Sequence, residues 1–197
     1  MRLTWVPILL LIFVTLQPSV LNSLSISEVQ IDMTNFGKIW GDYIANPNGE
    51  NARTVYSLLP DGKDKEIRLA VEVRPLIIRN LSVLERQIFS GDRDSLRVAF
   101  RLFTIADIVL EEELGKILGN YIRFNARSCL RELNNHSDLV PYLSLIVCSF
   151  QFTLRGDTPG QELEKNARLK AMEYVDDGDL KAIKKKCIKT LKKCKTK

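Results

Sequence analysis

The stretch DRDSLRVAFRLFTIADIVLEEELGKILGNYIRFNARSCLRE runs from Asp92 to Glu132 and carries the clearest structural pattern of the chain. Its apolar residues recur every three or four positions, which is the spacing of one buried helix face. They are Leu96, Ala99, Phe100 and Phe103 in the first half, and Leu110, Leu114, Ile117, Leu118, Tyr121 and Ile122 in the second. The pattern predicts two helices in tandem, around which other helices pack. Gly115 and Gly119 predict that a neighbour packs closely against the second helix.

Helical periodicity continues on both sides of this stretch. The sequence predicts further helices over residues 27–44, 50–59, 67–89, 125–133, 139–152, 161–174 and 179–195, the fourth beginning at either Asn125 or Ser128. Pro75 is expected to start or kink the third of these, and Gly91 to end it. Residues 145–152 are also rich enough in β-branched and aromatic side chains to suit a strand, although we expect a helix. The predicted fold is therefore all-α, either an irregular helical bundle or a short α-solenoid of stacked helix pairs.

Residues 1–25 have the composition of a signal peptide. A positive start at Met1-Arg2 precedes an apolar run from Trp5 to Leu16, which is too short to span a membrane comfortably. Ser23 and Ser25 supply small residues for cleavage. We therefore predict a signal peptide, or alternatively an uncleaved anchor, over 1–25 and a single helical domain over 26–197. The expected location is secreted or periplasmic.

The positive charge of the chain is local. The formal net charge is +5, and nine lysines lie between Lys181 and Lys197. Without those nine charges the rest of the chain sums to −4. A uniformly basic nucleic-acid-binding protein would not have this charge distribution, so no nucleic-acid partner is expected.

The four cysteines are Cys129, Cys148, Cys187 and Cys194, and all four are candidates for disulfides in an exported protein. Cys187 and Cys194 are seven residues apart on one predicted helix, which puts their Cα atoms about 10.5 Å apart. A disulfide tolerates at most about 7 Å, so a continuous helix excludes that pair. We expect at least one bridge between the C-terminal helix and the 129–148 region. The alternative is that all four are small buried apolar residues.

Residues 99–125 contain the pattern AFRLxxxADxxxxEELxxxLGxxIxxN. Its defining residues are Ala99, Phe100, Arg101, Leu102, Ala106, Asp107, Glu112, Glu113, Leu114, Leu118, Gly119, Ile122 and Asn125. The pattern resembles that of an uncharacterised family of bacterial secreted proteins, and segments 40–44, 46–52, 55–60 and 182–191 are also similar to it. Ile108, Val109 and Ala126 stand where the family has Gly, Ala and Pro. The resemblance implies a helical fold and an exported location, and it implies no activity.

The acidic group formed by Asp107, Glu111, Glu112 and Glu113 is the first candidate for chemistry. Carboxylates four residues apart on a helix share a face and can bind a divalent cation. The alternative is structural: Asp107 lies near a predicted helix start, where it and the glutamates of the first turn would favour the helix. Asp107, Glu112 and Glu113 are therefore weak candidates for a binding site, and we expect no metal and no cofactor.

His136 is the only histidine of the chain, in the segment Asn134 to Asp138. Its Ser and Asp neighbours are reminiscent of catalytic groups, yet no serine lies in a GxSxG motif. The sequence also lacks HExxH, CxxC and the glycine-rich phosphate-binding motifs. We expect a loop histidine and no catalytic residues. Asn80 and Asn135 begin matches to the N-glycosylation sequon, which are accidental if the source is bacterial.

The C-terminal helix combines an apolar seam with many lysines. Leu180, Ile183, Cys187, Leu191 and Cys194 recur with heptad-like spacing, and lysines occupy the other faces. The seam favours a helix that docks on the domain with a solvated outer face. The functional alternative is peripheral contact of Lys181–Lys197 with an anionic membrane surface or an acidic partner.

Three hypotheses for function follow from these features. The first is an exported, non-catalytic helical protein that binds another protein or the envelope. The second is a metal-dependent or acid/base hydrolase that uses the Asp107–Glu113 acids. The third is a protein that binds anionic surfaces through its lysine helix. The first is preferred because the sequence contains no catalytic constellation, and the sequence shows no small-molecule substrate.

Overall fold

The computed structural model describes residues 33–60, 73–150 and 158–195, and within these ranges it is all-α, as predicted. The helices are α1 (Met33–Ala45), α2 (Gly49–Leu58), α3 (Arg74–Phe89), α4 (Arg93–Ile105), α5 (Ile108–Asn135), α6 (Leu143–Val147), α7 (Thr158–Glu173) and α8 (Lys181–Lys193). Two 3-10 turns, Ser137–Tyr142 and Gly178–Leu180, precede α6 and α8. The predicted signal peptide and the predicted helical residues 27–32 and 67–72 lie outside the described residues.

The tandem helices predicted from the organising stretch are α4 and α5. Asp92 caps the start of α4 because its side chain accepts hydrogen bonds from the amides of Asp94 and Ser95. Gly91, with φ of 94°, ends α3 in the left-handed conformation that favours glycine. Pro75 lies in the first turn of α3, so it starts that helix and does not kink it.

The long helix α5 is the centre of the bundle. Its buried face contacts α3, α4, α6, α7 and α8. In a solenoid each helix pair would contact only its neighbours along the chain, so these contacts define a bundle. A kink at Asn125, with φ of −147° and ψ of 69°, divides α5 in two. The Asn125 side chain accepts a hydrogen bond from the Ser128 amide at 3.1 Å and so caps the second half, where a new helix was predicted to begin.

The core at the N-terminal end is aromatic. Phe36, Trp40 and Tyr43 all lie on the buried face of α1. The Tyr43 hydroxyl is 2.8 Å from the Ser95 hydroxyl on α4, which satisfies both buried polar groups. The Trp40 indole donates to the Leu76 carbonyl at 3.2 Å and so joins α1 to α3.

The helix predicted over 139–152 was too long. The chain forms the 3-10 turn Ser137–Tyr142 and then only the five residues of α6, and it leaves the helix at Cys148. Pro141 lacks an amide proton and lies inside the 3-10 turn, so a regular α-helix begins only after it. The alternative of a strand is wrong for residues 145–150, while 151 and 152 lie outside the described residues.

Candidate functional site

Asp107 is the N-cap of α5. Its carboxylate accepts a hydrogen bond from the Leu110 amide at 3.0 Å and forms an ion pair with Arg74 of α3. Partial burial would raise the pKa of Asp107, but the Leu110 amide, the Arg74 guanidinium and the Val109 amide outweigh it and hold that pKa below its ordinary value. The carboxylate therefore joins two helices and begins one of them.

Glu112 and Glu113 lie one helical turn further along α5. Both carboxylates pair with Lys116, at 3.0 and 2.8 Å. The hydrogen bond from Lys116 to Glu113 raises the pKa of Lys116 above its ordinary value, against the effect of partial burial. Glu113 and Lys116 line a groove of about 520 Å³ between α3 and α5.

Asp107, Glu112 and Glu113 do not converge on one point. Asp107 is directed to Arg74, whereas Glu112 and Glu113 are directed to Lys116. In the part of the chain that the structure describes, no three His, Cys, Asp or Glu side chains are grouped to hold a metal ion. These contacts favour the structural interpretation of the acids.

His136 lies immediately after α5, as its C-cap residue. Its amide donates to the Glu132 carbonyl at 3.0 Å, and its imidazole stacks on the Phe100 ring with centroids 5.9 Å apart. The ring thus packs between the end of α5 and α4. Asn80, which begins the other sequon match, lies within α3 and donates to the Leu76 carbonyl at 2.9 Å.

A disulfide joins Cys148, at the end of α6, to Cys194, at the end of α8. The two Cα atoms are 5.7 Å apart, within the usual range for a disulfide. The expected bridge from the C-terminal helix to the 129–148 region is thereby confirmed. Cys129 and Cys187 are free and fully buried. The alternative, which expected all four cysteines to be small buried apolar residues, therefore holds for these two. Burial raises the pKa of both thiols, that of Cys187 to about 12.

A buried charged cluster that sequence analysis missed lies beside the disulfide. Arg168 of α7 is fully buried and forms an ion pair with Glu164, one turn earlier on the same helix. The guanidinium also donates to the carbonyl oxygens of Val147 and Ser149, at 2.9 and 2.8 Å. Arg168 thus satisfies carbonyl groups at the end of α6, where the helix has no further turn to bond them. Glu164 and Arg168 are four residues apart, a spacing that is equally typical of exposed helix pairs.

The C-terminal helix docks through its apolar seam, as predicted. Leu180, Ile183, Cys187 and Leu191 are all buried against the domain. The outer side carries the lysine face, which we define by its exposed members Lys181, Lys185, Lys186, Lys189, Lys192, Lys193 and Lys195. Among the described residues none of these seven forms an ion pair. The nearby carboxylate of Asp177 forms an ion pair with Arg127 instead, at 3.0 Å.

Comparisons with protein-family models, with curated proteins and with solved structures found no match for this chain. The resemblance to bacterial secreted proteins therefore stays a prediction. No helix in the described ranges is both long and apolar enough to cross a membrane.

Proposed function

We propose that this chain is an exported, non-catalytic helical protein that acts by binding a protein or the cell envelope through its surface. The observation that supports the proposal best is the Cys148–Cys194 disulfide. Disulfides persist in secreted and periplasmic proteins, whereas cytosolic thiols are kept reduced. The predicted signal peptide agrees with that compartment.

The arrangement of polar side chains supports a binding role over a catalytic one. Asp107, Glu112 and Glu113 each form an ion pair with a basic side chain, and these pairs stabilise a helix end or a helix turn. Glu164 and Arg168 are buried and paired with each other, and Arg168 also donates to backbone carbonyl oxygens. We therefore expect the surface of the domain to be the part that binds other molecules.

A mass spectrum of the exported protein tests the proposal. The protein is measured intact, and again after alkylation in denaturant without reduction. We expect a mass that begins near Ile26 and exactly two alkylated thiols, because one disulfide protects two of the four cysteines. A retained N-terminus together with four alkylated thiols would contradict both the exported location and the oxidised state.

The hydrolase hypothesis has its own test. If the acids of α5 were catalytic, Glu112→Ala would abolish a hydrolytic activity and leave the fold intact. We expect no activity against ester, phosphoester and peptide substrates in the native protein, with or without added divalent cations. A turnover that is lost in Glu112→Ala and kept in Glu50→Ala, a change of an acid on α2, would overturn the non-catalytic proposal.

A further inference from the structure

The lysine face contains one continuous row of like charges, inclined to the helix axis. Lys181, Lys185, Lys189 and Lys193 follow one another at four-residue intervals and are all exposed. Such residues are neighbours on a helix surface, and the row spans about 18 Å at 1.5 Å per residue. Like charges at this spacing repel one another, so the row opposes formation of the helix that carries it.

Two lysines elsewhere in the domain pair with acids on their own helix. Lys116 lies between Glu112 and Glu113, and Lys165 lies 3.9 Å from Glu162. In contrast, α8 carries no acidic residue, since residues 181–195 contain no Asp and no Glu. The positive charge of the row therefore has no acidic partner among the described residues and is available to another molecule.

The row is also held rigidly. The buried seam fixes the inner side of α8, and the Cys148–Cys194 disulfide fixes its C-terminal end. Lys184 donates to the Val175 carbonyl at 2.5 Å, and Lys165 donates to the Cys194 carbonyl at 2.8 Å. The lysines consequently project from a helix whose orientation on the domain is fixed.

The composition of the face distinguishes between kinds of anionic partner. Protein interfaces are depleted in lysine at their centre and depend on buried aromatic or arginine anchors. The exposed side of α8 has no aromatic residue and no arginine, and the only other exposed residue between its lysines is Ala182. An anionic bilayer requires no anchor, because each lysine near its surface is attracted by charge alone.

We infer that the lysine face of α8 is the surface through which this domain adsorbs to a bilayer that contains anionic phospholipid. This inference rests on the proposed function, and it names the surface and the partner. The helix lies along the membrane plane, with its seam toward the domain and its lysine row toward the headgroups. Adsorption through charge alone is reversible by salt, which screens the attraction.

Co-sedimentation of the mature protein with vesicles tests the inference. We compare vesicles of pure phosphatidylcholine with vesicles that also contain phosphatidylglycerol. The protein is expected to sediment only with the second kind, and sodium chloride is expected to release it. Lys185→Gln combined with Lys189→Gln should weaken binding about 25-fold, since each lysine contributes roughly fivefold.

The matched control is Lys38→Gln combined with Lys170→Gln. It removes the same charge from exposed lysines on α1 and α7, and glutamine keeps the helix propensity of lysine in both variants. We expect the control to bind within about twofold of the native protein. Equal weakening of both variants would mean that only net charge matters, and it would overturn the assignment to α8.

Two further outcomes would overturn the inference. One is binding to pure phosphatidylcholine vesicles with equal strength. The other is binding of an acidic polypeptide such as polyglutamate without adsorption to phosphatidylglycerol vesicles, which would assign the face to a protein partner. Either would leave the exported, disulfide-containing state untouched, because the mass spectrum of the exported protein measures that separately.

Discussion

Gly119 is a residue at which no side chain fits. A Cβ atom there would lie 2.4 Å from the Ile146 carbonyl oxygen and 2.6 Å from Arg168 Nη1, and at Gly115 it would lie 2.3 Å from the Leu145 carbonyl oxygen. The close packing predicted from the two glycines is thus confirmed. It occurs where α6 crosses α5, through backbone atoms that cannot move aside cheaply.

We expect Gly119→Ala to lower the free energy of unfolding by about 1–3 kcal/mol, as overpacking does. Gly41 provides a matched control, because it lies within α1 and a Cβ there meets nothing within 4 Å. Gly41→Ala should raise the free energy of unfolding by about 0.5–1 kcal/mol through helix propensity. Urea denaturation of both variants measures the two effects, and changes of equal sign would contradict the packing argument.

Asp107 makes the free energy of unfolding depend on pH in the acidic range. Its pKa in the folded protein lies below the ordinary value of 3.8. A carboxyl of this kind stabilises the fold above its unfolded pKa, and the stabilisation is lost as the pH falls through the folded pKa. Asp107→Asn keeps a capping side chain and removes the ion pair with Arg74.

We therefore expect Asp107→Asn to be less stable than the native protein at neutral pH, by less than about 1 kcal/mol because the pair is partly exposed. The difference should shrink as the pH falls below 3.8. Urea midpoints of both proteins across the acidic range measure it. A difference that stays constant with pH would show that the charge of Asp107 contributes nothing.

Among the helices, Arg168 connects α7 to the end of α6 and bonds carbonyl oxygens there. Burial lowers the pKa of Arg168, whereas the charge of Glu164 raises it. The guanidinium also lies over the Phe150 ring, 4.8 Å from its centroid. Each of the two charges is acceptable inside the domain only in the presence of the other.

We expect Arg168→Met to lower the free energy of unfolding by about 3–5 kcal/mol, because it leaves Glu164 buried without its charge partner. Adding Glu164→Leu should restore much of the loss, since an apolar pair of similar volume replaces a buried ion pair at little cost. Denaturant unfolding of the single and double variants measures both. A double variant no more stable than Arg168→Met alone would show that the loss comes mainly from the bonds of Arg168 to the carbonyls of α6.

At the scale of the whole molecule, the disulfide joins elements that are far apart in the chain. It closes a loop between residues 46 positions apart. Closing a loop of that length restricts the unfolded chain and stabilises the fold by about 2–4 kcal/mol. Cys148→Ser combined with Cys194→Ser should therefore lower the free energy of unfolding by that amount. Dithiothreitol should destabilise the native protein and have no effect on the double variant.

The two free thiols report on the integrity of the core. Cys129 and Cys187 are fully buried, and burial raises the pKa of Cys187 to about 12. Alkylation requires an exposed thiolate, so the native protein should react with iodoacetamide far more slowly at pH 8 than the denatured protein. Mass spectrometry of timed samples measures the rates. Rapid alkylation of either thiol without denaturant would mean that α8 is not docked as described.

The all-α class and the positions of most helices can be predicted from the sequence alone. Apolar spacing, N-caps such as Asp107 and the terminating Gly91 act between residues at most a few positions apart, so they are visible in the chain. The buried seam of α8 was predictable for the same reason. The Cys187–Cys194 pair could also be excluded, because both residues were placed on one helix.

The packed structure was needed to establish which cysteines pair, where α6 ends and that Arg168 is buried. These features join residues that are distant in sequence, and the angles at which helices cross determine them. A charge pair four residues apart has the same sequence pattern on the surface as in the core, so burial alone distinguished Glu164–Arg168 from Lys116–Glu112. In the same way, the lysines of α8 are evident in the sequence, while their lack of acidic partners among the described residues follows from how α8 packs.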